Sequence, residues 1–98
     1  MKASKKQIEK WEKTQKVDKL IAALQSDLYS SRALAVDALS SFESDEVINA
    51  LIDATIDKVS LVADKAEKVL SGFTLNAQQE KRLQENVGEK EKDKDEGK

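Results

Sequence analysis

The sequence predicts an all-α fold, a short α–α superhelix of about six helices in three stacked hairpins. Three observations carry this expectation. First, the chain repeats itself at a spacing of 31 residues. Leu20, Ile21, Ala23, Ala35, Leu39, Ser40 and Phe42 return as Leu51, Ile52, Ala54, Ala66, Leu70, Ser71 and Phe73. The window from Gln15 to Phe42 therefore matches that from Glu46 to Phe73 at seven positions without a gap, where unrelated windows share about two. A period of this length signals units that bury a face only by stacking on the next. Second, among 98 residues there is no Pro, and Gly occurs only at 72, 88 and 97, so strong helix breakers are absent from the first 71 residues. Third, the apolar residues fall at 3–4 spacings, the period of one buried helix face.

Ser4 and Gln7 have capping-box spacing and open a first helix whose large apolar groups are Ile8 and Trp11. These stand 31 residues before Leu39 and Phe42, so the segment reads as an N-terminal cap on the stack. Thr14 is a candidate start for a second helix, with one continuous helix from Ser4 to Gln25 as the alternative. Val17, Leu20, Ile21 and Leu24 form its stripe. Ser30 or Ser31 is the expected cap of a third helix with Ala35, Ala38, Leu39 and Phe42 inward. Ser44, followed by Asp45 and Glu46, starts a fourth helix striped by Ile48, Leu51, Ile52, Thr55 and Ile56. Val59, Val62, Ala66, Val69, Leu70 and Phe73 line a fifth, with Gly72 near its end. Asn76 and Gln79 open a sixth, expected to stop at Gly88. The expected organisation is a helical domain over 1–87, with units at about 15–42 and 46–73 and caps at 4–13 and 76–87. Residues 88–98 lack apolar groups to offset the entropy of ordering and read as a disordered charged tail.

Composition narrows the chemistry. There is no Cys and no His, so disulfides, zinc thiolates, cysteine nucleophiles and imidazole bases are excluded. No cofactor or metal is expected. The acid pairs Glu43/Asp45 and Asp53/Asp57 lie on polar turns rather than in a desolvated pocket that would shift a pKa, which points away from an enzyme. The start of the chain shows no signal-peptide pattern and no stretch approaches the roughly 20 apolar residues of a membrane span. The expectation is a cytoplasmic protein, monomeric or weakly self-associating. Net charge is −2 but uneven: residues 1–20 carry +4 and residues 21–73 carry −5.

The segment Ser31–Leu39, the turn from Ser40 to Glu46, and Val47–Ile52 resemble the HEAT-like repeats of phycobilisome-lyase-type proteins. Their pattern runs V-R-x-x-A-x-x-A-L, a short turn with Gly, Asp and Pro, then x-x-A-L-I. Arg32, Ala35, Ala38, Leu39, Ala50, Leu51 and Ile52 fall on matching positions. The likeness covers about residues 15–73 and implies a HEAT-type superhelix. An accessory role in bilin-lyase chemistry is implied by the resemblance alone. Ser44-Asp45 replaces the Asp-Pro common in such turns. Asp27 and Arg32 keep the spacing that the family uses for a ladder of charge pairs. The second unit has Lys58 and Ala63 there, so the ladder is expected not to propagate.

Functionally the sequence points to a protein–protein interaction module, a small adaptor or accessory subunit. Its expected face carries Leu34, Val36, Asp37 and Ser41 from the third helix, Asp64, Glu67 and Lys68 from the fifth, and Tyr29 from the turn before the third helix. Leu34 and Val36 are apolar where their counterparts Lys65 and Glu67 are charged, which marks either contact with the first helix or an exposed patch. Trp11, Phe42 and Phe73 read as packing rings. Arg32 reads as the partner of Asp27. The alternative is nucleic-acid binding through a stripe of Lys10, Lys13 and Lys16, against which stand the interleaved Glu9 and Glu12 and the acidic body.

Overall fold

The computed structural model describes residues 3–96, with side chains described as far as Gly88. Six helices follow in order: α1 (Lys5–Lys13), α2 (Val17–Ala23), α3 (Tyr29–Leu39), α4 (Asp45–Ala54), α5 (Ser60–Ser71) and α6 (Ala77–Glu96). No strand occurs among the described residues.

Each helix start and stop has a local cause. Ser4 and Gln7 close a full capping box on α1. At the other end Gln15 takes a left-handed backbone, φ 58°. Its N–H donates to the Glu12 carbonyl and that of Lys16 to the Trp11 carbonyl, which is a Schellman stop built without glycine. This separates α1 from α2, so the chain does not run as one helix to Gln25. Thr14 closes α1 rather than starting α2, its hydroxyl donating to the Lys10 carbonyl. The start of α3 also differs from expectation. Ser26 Oγ accepts from Leu28 N at 3.3 Å and turns the chain early enough for the helix to begin at Tyr29. Ser31 lies inside α3, buried, its hydroxyl donating to the Ala3 carbonyl. One repeat later Asp57 does the work of Ser26, Oδ1 accepting from Val59 N at 2.9 Å. Ser44 caps α4 by accepting from Val47 N, and Asn76 and Gln79 form a second capping box on α6. Gly72 closes α5 with φ −94°.

The helices form two layers, α1–α3–α5 and α2–α4–α6, with α2/α3 and α4/α5 packed as hairpins. Adjacent members of the first layer pack closely, whereas α2 and α4 touch sparingly. Between the layers lies the core. Leu20, Leu39, Leu51, Ile52, Leu70, Val36, Val47 and Val62 are fully buried, and Trp11, Phe42 and Phe73 pack against it half-buried. The repeat survives in detail: Ser40 and Ser71 each donate a hydroxyl hydrogen bond to the carbonyl three residues back.

The outer side of α5 differs from the seam between α3 and α5. Asp37 on α3 meets Lys65 on α5 at 3.1 Å, so the side of α3 holding Ala33, Val36 and Asp37 is the one turned to α5. Ala33 and Val36 are buried there. Their counterparts on α5 are Asp64, exposed, and Glu67, half-buried. Among the described residues no further helix stands beside α5 on that side, and there charge has replaced methyl groups.

Two other expectations are corrected. Ile56 is 56% exposed, because α4 ends at Ala54 and the 3–4 spacing stops applying in the turn. Gly88 does not end α6, whose backbone stays helical to Glu96. One glycine costs a helix only about 1 kcal/mol, and the Lys and Glu around it are good helix formers. The helical backbone of α6 thus passes the expected domain edge at 87; residues 97–98 lie outside the described residues.

Candidate functional site

The turn after α2 (residues 24–28) and the turn after α4 (residues 55–59) sit side by side at one end of the stack, and Arg32 joins them. Its Nε donates to Asp57 Oδ2 at 2.7 Å and its Nη2 to Oδ1 at 3.1 Å. Nη1 donates to the Ser26 carbonyl at 2.8 Å. The two side chains are 17% and 11% exposed. Burial alone pushes the Asp57 carboxyl up, but the hydrogen bonds from Arg32 and Val59 N and the charges of Arg32 and Lys58 outweigh it. The carboxyl is held below its ordinary value. The same hydrogen bonding, opposed by desolvation and assisted by the charges of Asp57 and Asp27, raises Arg32.

Arg32 is thus hydrogen-bonded to Asp57 of the next unit, which its spacing did not suggest, while the charge of Asp27 also acts on it. The reason is the stacking itself. It sets the turn of the next unit within hydrogen-bond reach of the guanidinium fork. One rung of a charge ladder does pass from the first unit to the second, and it stops there because Ala63 stands at the next arginine position.

Between the splayed ends of α2 and α4 lies a cleft of 530 Å³, with Leu24, Ala50 and Ala54 among its apolar walls and Asp27, Arg32, Asp53 and Asp57 among its polar ones. The large apolar side chains most exposed to solvent gather at this same end: Leu28 (45%), Tyr29 (51%), Ile56 (56%) and Leu61 (49%). All four lie in the two turns or in the first two residues of the helices that follow. Because α6 runs alongside α4 in the same direction, reaching Thr55 with Asn86, its last ten residues extend about 15 Å beyond this end. No group of three or more His, Cys, Asp or Glu side chains able to hold a metal is found among the described residues. No described helix is long and apolar enough to cross a membrane.

The residues expected to form a partner face are only partly brought together. Val36 is fully buried, on the side of α3 turned to α5, so it is corrected from a surface residue to a core residue. Leu34 is half-buried and packs on the core. By the repeat it corresponds to Lys65, which borders the preceding helix, so Leu34 belongs to the α1 side of α3. Asp37, Ser41, Asp64 and Lys68 are exposed and Glu67 half-buried, but Asp37 is engaged by Lys65. Tyr29 is exposed at the turn end, away from the middle of that face. Lys10 and Lys13 are exposed in the last turn of α1, whereas Lys16 lies beyond the Gln15 reversal. The three do not form one helical stripe. The sequence reading missed Ile56, Leu28 and Leu61 as surface groups; the signal available was that all three fall at unit junctions, where helical spacing lapses.

Comparison with protein-family models, with curated proteins and with solved structures finds no match.

Proposed function

We propose that the chain is a non-catalytic protein-interaction module, a short HEAT-like stack that receives a partner protein at its turn end. The observation that carries this reading is that Leu28, Tyr29, Ile56 and Leu61 are all exposed on or next to the two turns that Arg32 joins, Ile56 also lining the cleft. Exposed apolar groups scattered singly mean little, but a cluster rimmed by polar residues marks an interaction site. Tyr29 is the natural anchor, a large ring with a hydrogen-bonding tip and few rotamers to freeze. The Arg32 bridge fixes the two turns relative to each other, so a partner meets a surface that is already ordered.

The test is capture of the tagged protein from nuclease-treated native lysate, with the double variant Tyr29→Asp/Ile56→Asp in parallel. Both residues are exposed, so the variant retains its fold, checked by circular dichroism. A stoichiometric protein partner lost with the double variant supports the reading. Identical captures overturn it, and so does a wild-type capture emptied by nuclease, which would turn attention to Lys10, Lys13 and Lys16.

A further inference from the structure

We infer that a strip along α4, formed by Asp45, Asn49 and Asp53, is a docking surface for an arginine-bearing helix of a partner protein, and that α6 occupies it in cis as a displaceable stand-in. This rests on the reading of the chain as an interaction module, but concerns a surface that shares only Asp53 with the turn-end cleft.

The strip residues stand four apart, so they form one line on the helix. Across the ten residues of α4 there are three acids, Asp45, Glu46 and Asp53, and no base. A polar side chain of α6 meets each strip position. Gln79 Nε2 donates to Asp45 Oδ1 at 3.1 Å. Arg82 reaches two groups with one fork, Asn49 Oδ1 at 3.5 Å and Asp53 Oδ1 at 2.6 Å. Asn86 continues the line, donating to the Ile52 carbonyl at 3.0 Å.

The 31-residue register shows how unusual this contact is. Counting two repeats back, Gln79, Arg82, Leu83 and Asn86 stand where α2 has Val17, Leu20, Ile21 and Leu24. Of four apolar positions, Leu83 alone survives in α6, and it is half-buried. The Arg82–Asp53 pair is 41% and 65% exposed, and ion pairs as open as this hold helices weakly. A cleft of 250 Å³ also remains beside Asp45 and Asn49, leaving room for a second cationic side chain. The strip therefore asks for a helix with forked cations on one face, and α6 supplies just one. Arginine fits better than lysine because a planar fork bridges Asn49 and Asp53 together, as Arg82 does.

The probe is a helix-stapled peptide copying residues 74–88, titrated by fluorescence anisotropy into the full-length protein. Wild type binds weakly. Full-length Arg82→Ala, with its internal competitor weakened, binds about fivefold more tightly, and its α6 amides exchange hydrogen faster while those of α3 do not. Full-length Asp53→Lys loses binding. Circular dichroism confirms that both variants keep their helix content. The inference is overturned if Arg82→Ala binds no more tightly than wild type, or if Asp53→Lys binds the peptide as wild type does. Tyr29→Asp/Ile56→Asp leaves the strip intact, so lysate capture and peptide titration fail independently.

Discussion

Arg32 holds both oxygens of the Asp57 carboxylate while its remaining terminal nitrogen holds the carbonyl of Ser26, the residue that stands one repeat before Asp57. A single side chain thus touches equivalent points of two successive turns. The geometry is the bidentate arrangement in which charge-assisted hydrogen bonds are strongest.

Replacing Arg32 with Met keeps the stem and removes the fork. Stability to urea should fall by about 2 kcal/mol, the range for hydrogen bonds to charged groups. Arg32→Lys should recover a minor part, since an ammonium cannot bridge both oxygens and a carbonyl in one plane. Full recovery by Lys would mean that charge, not geometry, matters here.

The same pair gives stability a defined pH dependence. The Asp57 carboxyl is held below its ordinary value of 3.8, so folding favours its ionised form. The contribution is complete well above 3.8 and is lost as pH falls through the lower folded value. Asp57→Asn should therefore be less stable than wild type at pH 7, with the difference shrinking as the pH drops toward 2. Urea midpoints at several pH values read this directly, and a gap that widens on acidification contradicts it.

Leu51 and Leu61 are ten residues apart and should respond oppositely to truncation. Leu51 is fully buried, and Leu51→Ala should cost about 2–5 kcal/mol through lost burial and a cavity. Leu61 is 49% exposed, and Leu61→Ala should stay within about 0.5 kcal/mol. Thermal unfolding distinguishes the two.

Gln15 and Gly88 are backbone opposites. Gln15→Gly should raise stability by about 0.5–1 kcal/mol, because glycine adopts the left-handed turn without the Cβ penalty. Gly88→Ala should do the same for the reverse reason. It sits within α6 with nothing within 4 Å of an added Cβ, and alanine propagates a helix better. Calorimetric melting temperatures should rise in both.

Much of the fold was legible because the repeat and the helical period agree over the middle of the chain. Leu20, Leu39, Leu51 and Leu70 were placed inward by both and are buried. What was not legible comes from neighbours along the stack rather than from any one helix. Val36 lies off the stripe that faces the other layer, so single-helix periodicity leaves it at the surface; the adjacent α5 covers it. Ile56 obeyed the spacing of a helix that had already ended. Arg32 stands five residues after Asp27, and that spacing says nothing of Asp57 in the unit beside it. The equivalence of Ser26 and Asp57, visible in the register, was the better clue.

The charges at Asp64 and Glu67 have a consequence for how such a protein lengthens. A surface that presents Ala33 and Val36 would accept another α3-like helix and, if left open, would invite one copy to follow the next without closure. With carboxylates there instead, such an addition would have to strip water from charge. A longer relative would arise by duplicating the segment that includes Ala33 and Val36; duplicating the segment that includes Asp64 and Glu67 would bury two acids at a new seam. The side of α3 that meets α5 and the corresponding side of α5 are thus not interchangeable, and two side chains make the difference.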